Sequence, residues 1–186
     1  MRRIILILSL LFCSQLITAS NLLIEAESFD QKGGWVVSPD ACTRRSKRGF
    51  PMEICTVVTR DREEMVDITE RLCSVIREKG WRHGVAALFC PHTTCGLTIN
   101  EGADPDVRRD MTAFFSRIIP HRGEWRHGEG NSDAHIKASL MGPSLFVIVE
   151  DGEPRLGTWQ SVYLYEGDGP RSRSIWVQWL PASENA

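Results

Sequence analysis

CPHTTCGLTINEGADPDVRRD, residues 90–110, is the stretch on which the reading of the chain turns. An apolar run from Val85 to Cys90 leads into it and reads as a buried strand. Pro91, His92, Thr93 and Thr94 break that run, and after Gly96 the segment Leu97 to Asn100 reads as a second, short strand. Asp104 followed by Pro105 marks a helix start. The aspartate can accept from free N–H groups, and proline suits a position whose N–H has no partner in the helix. The order strand, turn, strand, helix argues against regular strand–helix alternation. The same stretch carries an imidazole, two hydroxyls, an amide and a carboxylate: His92, Thr93, Thr94, Asn100 and Glu101. Such groups at the ends of rigid apolar elements can build a site. They are also the residue types that close turns and face water.

Working outward, Ile54 to Arg60 is β-branched and reads as a strand. Two Asp-x-x-Glu capping boxes compete after it, Asp61 with Glu64 and Asp67 with Glu70. The later one is preferred, which leaves Met65 to Asp67 extended. Ile68, Leu72, Val75 and Ile76 hold helical spacing, and Gly80 ends the run. Downstream, Val107, Met111, Phe114, Phe115 and Ile118 form the apolar stripe of a helix that Pro120 stops. His121 to Asn131 is polar, glycine-rich and loop-like. Ala134 to Met141 is helical, with Asp133 or Ser132 as cap. Ser144 to Val149 is a strand, and Asp151-Gly152 is a hairpin turn signal. Leu156 to Tyr165 and Ser174 to Leu180 are further strands. The expectation is an α+β fold: one compact domain over residues 51–182, a mixed or antiparallel sheet with a few helices.

The first fifty residues differ in style. Met1 to Ser20 has a charged start, a short apolar core (IILILSLLFC) and small residues near a plausible cut, as in a secretory signal peptide. The apolar run is too short for a stable membrane span. Residues 21–50 are expected to be a foreign or disordered N-terminal extension. Its start resembles the mature ends of secreted carbohydrate-active or FAD-dependent proteins, and its later part, SPDACTRRSKRG, is basic and aperiodic. A net charge of -2 offers no bulk attraction to nucleic acid. The six cysteines contain no Cys-x-x-Cys spacing and read as reduced, small apolar residues rather than a zinc or disulfide framework.

Two more polar clusters follow the first. His127, Glu129, Asn131, Asp133 and His135 lie in and just after a loop whose glycines 128 and 130 allow a sharp path. With His92 they offer three imidazoles, enough for a metal site with an open position, and Asp133 or Glu129 could orient a ring. Spacing alone leaves open the alternative, a helix cap and ordinary loop histidines. The third cluster is Trp159-Gln160 with Glu166 and Arg171. A tryptophan face stacks on flat heterocycles, a glutamine reads their edges, and an arginine beside a turn holds phosphate. Core packing for Trp159 is the alternative.

PHTTCGLTINEGADPDVRRD, HGEGNSDAHIKASLMGPS and DGEPRLGTWQSVYLYEGDGPRSR, in this order, resemble the YjbQ family, also called UPF0047, over about residues 54–180. The resemblance implies a compact α+β domain that forms homotrimers and is cytoplasmic, which the signal-like start contradicts. It implies thiamine-phosphate synthase activity: a pyrimidine methyl diphosphate is joined to a thiazole phosphate and diphosphate leaves. It also implies a divalent metal, zinc or magnesium, near the histidines. Carried over, His92, Glu101, His127, Asp133 and His135 would be catalytic, with His92, His127 and His135 as metal ligands. Thr93, Thr94, Asn100, Asn131, Trp159, Gln160 and Glu166 would bind the phosphorylated heterocycle, and Arg171, read from its place beside a turn, would hold a phosphate. Cys95 departs from the pattern, standing where a small residue such as alanine is usual. The competing readings are a metal-dependent hydrolase and a non-catalytic trimeric binding protein.

Overall fold

The computed structural model describes residues 52–183, so the signal-like segment 1–20 and the extension 21–50 lie outside the described residues. The elements run β1 (Met52–Val58), β2 (Glu64–Asp67), α1 (Thr69–Lys79), β3 (Gly84–Phe89), β4 (Cys95–Glu101), α2 (Pro105–Ile118), α3 (Ser132–Met141), β5 (Ser144–Glu150), β6 (Glu153–Pro154), β7 (Gln160–Glu166) and β8 (Ser172–Pro181). Five strands form one sheet in the order β1-β8-β3-β5-β6, and three form a second in the order β2-β7-β4. All neighbours are antiparallel. The fold is therefore α+β, as the element order implied.

Period-two patterning explains the layers. Val57, Ala86, Leu88, Val147, Val149, Ile175, Val177 and Trp179 point inward from the larger sheet. Leu97, Val162 and Leu164 of the smaller sheet, with Ile68, Leu72 and Ile76 around α1, complete that core. Trp81 stacks on Trp179 with centroids 5.0 Å apart, sealing one end. The alternate residues of the smaller sheet, Met65, Tyr163 and Tyr165, form a second cluster against Met111 of α2 and Met141 of α3. β7 is thus buried on both faces, which its near-continuous apolar run Val162 to Tyr165 reflects.

Most boundaries follow the local chemistry. Asp104 accepts from the Asp106 N–H at 2.8 Å and Pro105 opens α2. Asp67 accepts from the Thr69 N–H at 2.9 Å and α1 starts beside the later pair, but its N-cap is Ile68 and no capping box forms, since Glu70 pairs with Arg77. Glu64, the rival, accepts from the Arg60 and Asp61 N–H groups and closes a turn instead. Asp151 (φ 55) and Gly152 (φ 84) form the hairpin between β5 and β6, with two left-handed residues as such a turn requires. Gly96 is needed for close approach, since a Cβ there would lie 2.8 Å from the Gly142 carbonyl oxygen and from the Met141 Cβ.

Four expectations need correction. The strand expected from Leu156 starts only at Gln160, because Gly157 and Gln160 close a turn through the Gln160 side chain (Gly157 N–H to Oε1, 2.8 Å). Trp159 is therefore in that turn, not in a strand. Asp133 does not cap α3; Asn131 is the N-cap and Asp133 points into the interior. The stripe on α2 is only partly a core face: Met111 and Phe115 pack half-buried against the second cluster, while Phe114 and Ile118 are exposed.

One surface stands out. Ile54, Phe89, Phe146, Ile148 and Leu180 share the outer face of the five-stranded sheet, and Phe146 is 70% exposed. Among the described residues no helix is long and apolar enough to cross a membrane.

The two sheets are joined by Glu166 of β7 and Arg173 of β8, a buried bidentate pair (2.7 Å to Oε2, 2.6 Å to Oε1). Removing one partner leaves an uncompensated buried charge. Arg173→Met should cost about 3–5 kcal/mol in urea unfolding. The double variant Glu166→Leu/Arg173→Met should recover most of that loss; a double as unstable as the single would show that the pair's charges are not the source of the cost.

Candidate functional site

The sequence clusters separate along one ladder. β4 and β7 pair over their full length, from Cys95↔Glu166 at one end to Glu101↔Gln160 at the other. Six residue steps of an antiparallel strand span about 20 Å. His92, Thr93 and Thr94 therefore lie at one end, with Glu166, while Asn100 and Glu101 lie at the other, with Gln160 and Trp159. One small ligand cannot touch both ends of the same chain.

At the far end, Trp159 is 65% exposed, so it is not core. Its carbonyl accepts from the Gly102 N–H at 2.7 Å, which fixes the turn against β4. The Asn100 side chain is occupied by the Glu101 N–H (2.8 Å) and the Met111 sulfur (3.1 Å). Gln160 holds its own turn.

The near end is richer. Arg173 donates to Thr94 Oγ1 at 2.8 Å as well as to Glu166. Glu166 is fully enclosed, and its oxygens also accept from Thr59 Oγ1 (3.0 Å) and the Asp168 N–H (2.8 Å). With all its acceptor positions engaged, Glu166 holds the wall from behind rather than facing a ligand. The Ser174 N–H donates to His92 Nε2 at 2.9 Å, so the ring proton belongs on Nδ1. Burial and then the neighbouring Arg173 charge push the His92 pKa down, keeping the ring neutral. Thr93 is exposed beside it.

α3 presents its first turn to the same end. Asp133 is fully buried. It accepts from Lys137 (3.1 Å) one turn on and from Arg62 (3.0 Å), and His121 Nδ1 is 3.4 Å away. Burial works against its charge, but the Lys137 hydrogen bond and charge, with His121 and Arg62 behind them, outweigh it and hold the carboxyl below the usual range. Lys137, itself fully buried, also donates to Glu63 at 2.6 Å. Asp168 collects Arg62 (3.0 Å), Arg171 (2.7 Å) and Asn131 Nδ2 (2.9 Å). Its pKa is likewise lowered: burial opposes ionisation, and the Asn131 and Arg171 contacts prevail.

Two polar atoms remain unmatched in this knot, Arg62 Nε and Asn131 Oδ1, both buried without a partner among the described residues. Around them the outer edge is open. The side chains of Arg171 and His121 are each about half exposed, and Arg62 is a third exposed. Arg62 Nη2 lies 2.7 Å from His121 Nδ1. Such a rim offers charge-assisted guanidinium donors and an imidazole to an anion.

His127 and His135 meet edge to face with centroids 5.4 Å apart, and Glu129 is 3.8 Å from His127. His92 instead accepts from the Ser174 N–H through Nε2. Among the described residues, no three His, Cys, Asp or Glu side chains gather as metal ligands. Two imidazoles fit part of a zinc site better than a magnesium site, which prefers oxygen donors.

Sequence reasoning missed Arg62, Glu63, His121 and Lys137. Lys137 was signalled by its i,i+4 spacing from Asp133. Arg62 and Glu63 lie in a charged run that read as capping chemistry, and His121 carried no local signal.

The family profile described as UPF0047 protein YjbQ-like matches residues 53–182. A UPF0047 protein of Methanocaldococcus jannaschii is 50% identical over 122 residues, covering 66% of this chain and 88% of its own. The UPF0047 protein YugU of Bacillus subtilis is 47% identical over 125 residues, 67% of this chain and 95% of its own. An uncharacterized YjbQ/UPF0047 protein of Clostridium acetobutylicum superposes with a TM-score of 0.67 at 46% identity, covering 69% of this chain and 99% of that one. A hypothetical protein of Aeropyrum pernix gives a TM-score of 0.68 at 30% identity, over 71% and 99%.

The depressed groups fix a pH dependence. Asp133 and Asp168 have folded pKa values below their unfolded ones, so their stabilisation is complete above about pH 4 and is lost as pH falls further. His92, also depressed, adds a smaller loss beginning near pH 6.5, where the unfolded chain starts to take up a proton that the folded ring resists. Urea midpoints measured from pH 7 to 3 should fall in these two stages. Asp168→Asn should flatten the acid stage and His92→Gln the earlier one. Unchanged curves in both variants would contradict the assignment.

Proposed function

The chain belongs to the UPF0047 YjbQ-like family, and from that premise we propose that it is a transferase of the thiamine-phosphate synthase type. It joins a pyrimidine methyl diphosphate to a thiazole phosphate with release of diphosphate. The observation that supports this reading is the open rim at which the Arg62 and Arg171 guanidiniums stand beside His121. Breaking the carbon–oxygen bond to diphosphate builds negative charge on the leaving group. Guanidiniums already fixed by Asp168 meet that charge with little reorganisation. Neutral His92, with its Nδ1 proton, and the Thr93 hydroxyl line the adjoining loop as hydrogen-bond donors. Asp133 and Glu166 keep Arg62, Lys137 and Arg173 in place from behind.

His127 and His135 are the pair that would hold a divalent metal, zinc before magnesium. Such an ion would add charge neutralisation at the same rim. Metal content of the purified protein should drop in His127→Ala and in His135→Ala; equal content in both variants and the parent would remove these residues as ligands.

Trp159, Gln160 and Glu101 lie about 20 Å from the rim within one chain, so their part in ring binding requires a second copy. The apolar outer face of the five-stranded sheet supports self-association into the homotrimer that the family resemblance implies. Light scattering on the parent should give three chains per particle, and Phe146→Asp should give one; a monomeric parent would leave Trp159 outside the site.

The reaction itself is tested by incubating the protein with both phosphorylated substrates and following diphosphate release. Arg171→Ala should lower kcat/KM by about 100-fold. A second reading, a non-catalytic binding protein, is favoured by one feature: the carboxylates beneath the rim, Asp133, Asp168 and Glu166, are all engaged and none is a free base. Thermal stabilisation by the thiazole phosphate without turnover would select that reading. Neither turnover nor stabilisation would overturn both.

A further inference from the structure

Cys90 and Cys95 flank the Pro91–Thr94 loop, which links β3 to β4. Both thiols are 1% exposed, and their Sγ atoms meet at 3.1 Å. That separation is only about 1 Å longer than a disulfide bond. Cys90 Sγ also faces the Cys95 carbonyl oxygen at 3.4 Å, so the contact belongs to the loop's neck and not to two mobile side chains. In the sequence between the two cysteines lie His92 and Thr94. The first accepts from the Ser174 N–H and the second from Arg173.

We propose that Cys90 and Cys95 are a cross-linking site, at which an intrachain disulfide closes the neck of the loop that carries His92 and Thr94. The co-reactant is a small-molecule disulfide of the glutathione class. The Cys90 sulfur, as thiolate, attacks one sulfur of that disulfide; a mixed disulfide forms and one small thiol leaves. The Cys95 sulfur, having given up its proton, then displaces the second small thiol and the protein S–S bond forms. Two protein thiols are oxidised by two electrons, the small disulfide is reduced to two thiols, and the two protons leave on those thiols.

The surroundings set the order of attack. A hydrogen bond from Cys95, set against burial and helped by the Arg173 charge, holds the Cys90 thiol below its ordinary pKa, whereas Cys95 is pushed up by the same hydrogen bond and by burial. The other two described cysteines, Cys55 and Cys73, are each raised by burial. Cys90 is therefore the described cysteine with the most thiolate character, and its resolving partner is already in contact. Cross-linking requires the sulfurs to close by about 1 Å, and it withdraws freedom from the segment bearing His92.

The test uses the full chain, incubated with oxidised glutathione, then unfolded, alkylated and mapped by mass spectrometry without reduction. The tryptic peptide from His83 to Arg108 holds both cysteines. It should appear two hydrogens lighter than the dithiol form and carry no alkyl group. The melting temperature should rise by about 5 °C and return on adding reductant. Cys95→Ala should remove the temperature rise and leave Cys90 as a mixed disulfide or a free thiol. Because burial can slow entry of the oxidant, a parallel sample is refolded from denaturant in a glutathione redox buffer. If both Cys90 and Cys95 are alkylated after that refolding, the pair is only two hydrogen-bonded thiols and the proposal fails.

Discussion

The structure depends on a carboxylate and a guanidinium buried between two sheets. Glu166 ends β7 in the three-stranded sheet, and Arg173 begins β8 in the five-stranded one. Neither charge can leave the interior without unpairing the other, so the two sheets are held in one register at that end. The pair recruits Thr59 from the end of β1 and Thr94 from the loop before β4. Four separate chain segments therefore converge on two side chains. A hydrophobic sandwich alone would tolerate small slides between its layers, since apolar contact is non-directional. A bidentate pair is not so tolerant, because its two hydrogen bonds fix distance and orientation together.

A second buried ionic knot extends the same constraint to α3. Lys137 bridges Asp133 of its own helix and Glu63 beside β2, while Arg62 bridges Asp133 and Asp168. Glu63 in turn accepts from Ser116 of α2 and Tyr165 of β7. The start of α3 is thus tied to α2 and the smaller sheet through Glu63, by an ion pair from Lys137 and hydroxyl hydrogen bonds from Ser116 and Tyr165, in addition to the buried Ala134. That explains why the helix could carry a site: its Asn131 end can leave one polar atom unmatched because the surrounding pairs hold the backbone in place. An unmatched buried acceptor is unfavourable, and it persists where neighbouring contacts over-determine the geometry.

Much of the fold was legible because its signals are local. The Asp104-Pro105 start, the Asp151-Gly152 hairpin and the alternation in β1, β3, β5 and β8 each follow from nearby residues. The misses are tertiary. Glu166 reads from sequence as a polar residue ending a strand near a turn, a fair candidate for a ligand. Its enclosure by Arg173, Thr59 and the Asp168 N–H depends on partners up to 107 positions away. Asp133 reads as a cap because it opens a helical pattern; Lys137, four residues on, and Arg62, seventy-one away, decide otherwise. Trp159 reads as core because it is large and apolar, but a turn closed by Gln160 turns it outward. The first polar cluster looked like one wall because its residues are close in sequence, yet β4 is extended and carries Asn100 and Glu101 away from His92.

That separation bears on assembly. The domain has polar groups at both ends of one ladder and, on its other sheet, an uncovered apolar face. Phe146, Ile148, Phe89, Ile54 and Leu180 form a contiguous apolar surface of the kind monomeric domains seldom leave open. α2 adds Phe114 and Ile118, both about half exposed, on the other side of the molecule. Covering these faces with further copies of the chain would bury apolar area, and the part proposed for Trp159 in the site requires such a second copy. The driving force for association and the completion of a ligand site would then have one cause: residues the fold cannot bury by itself.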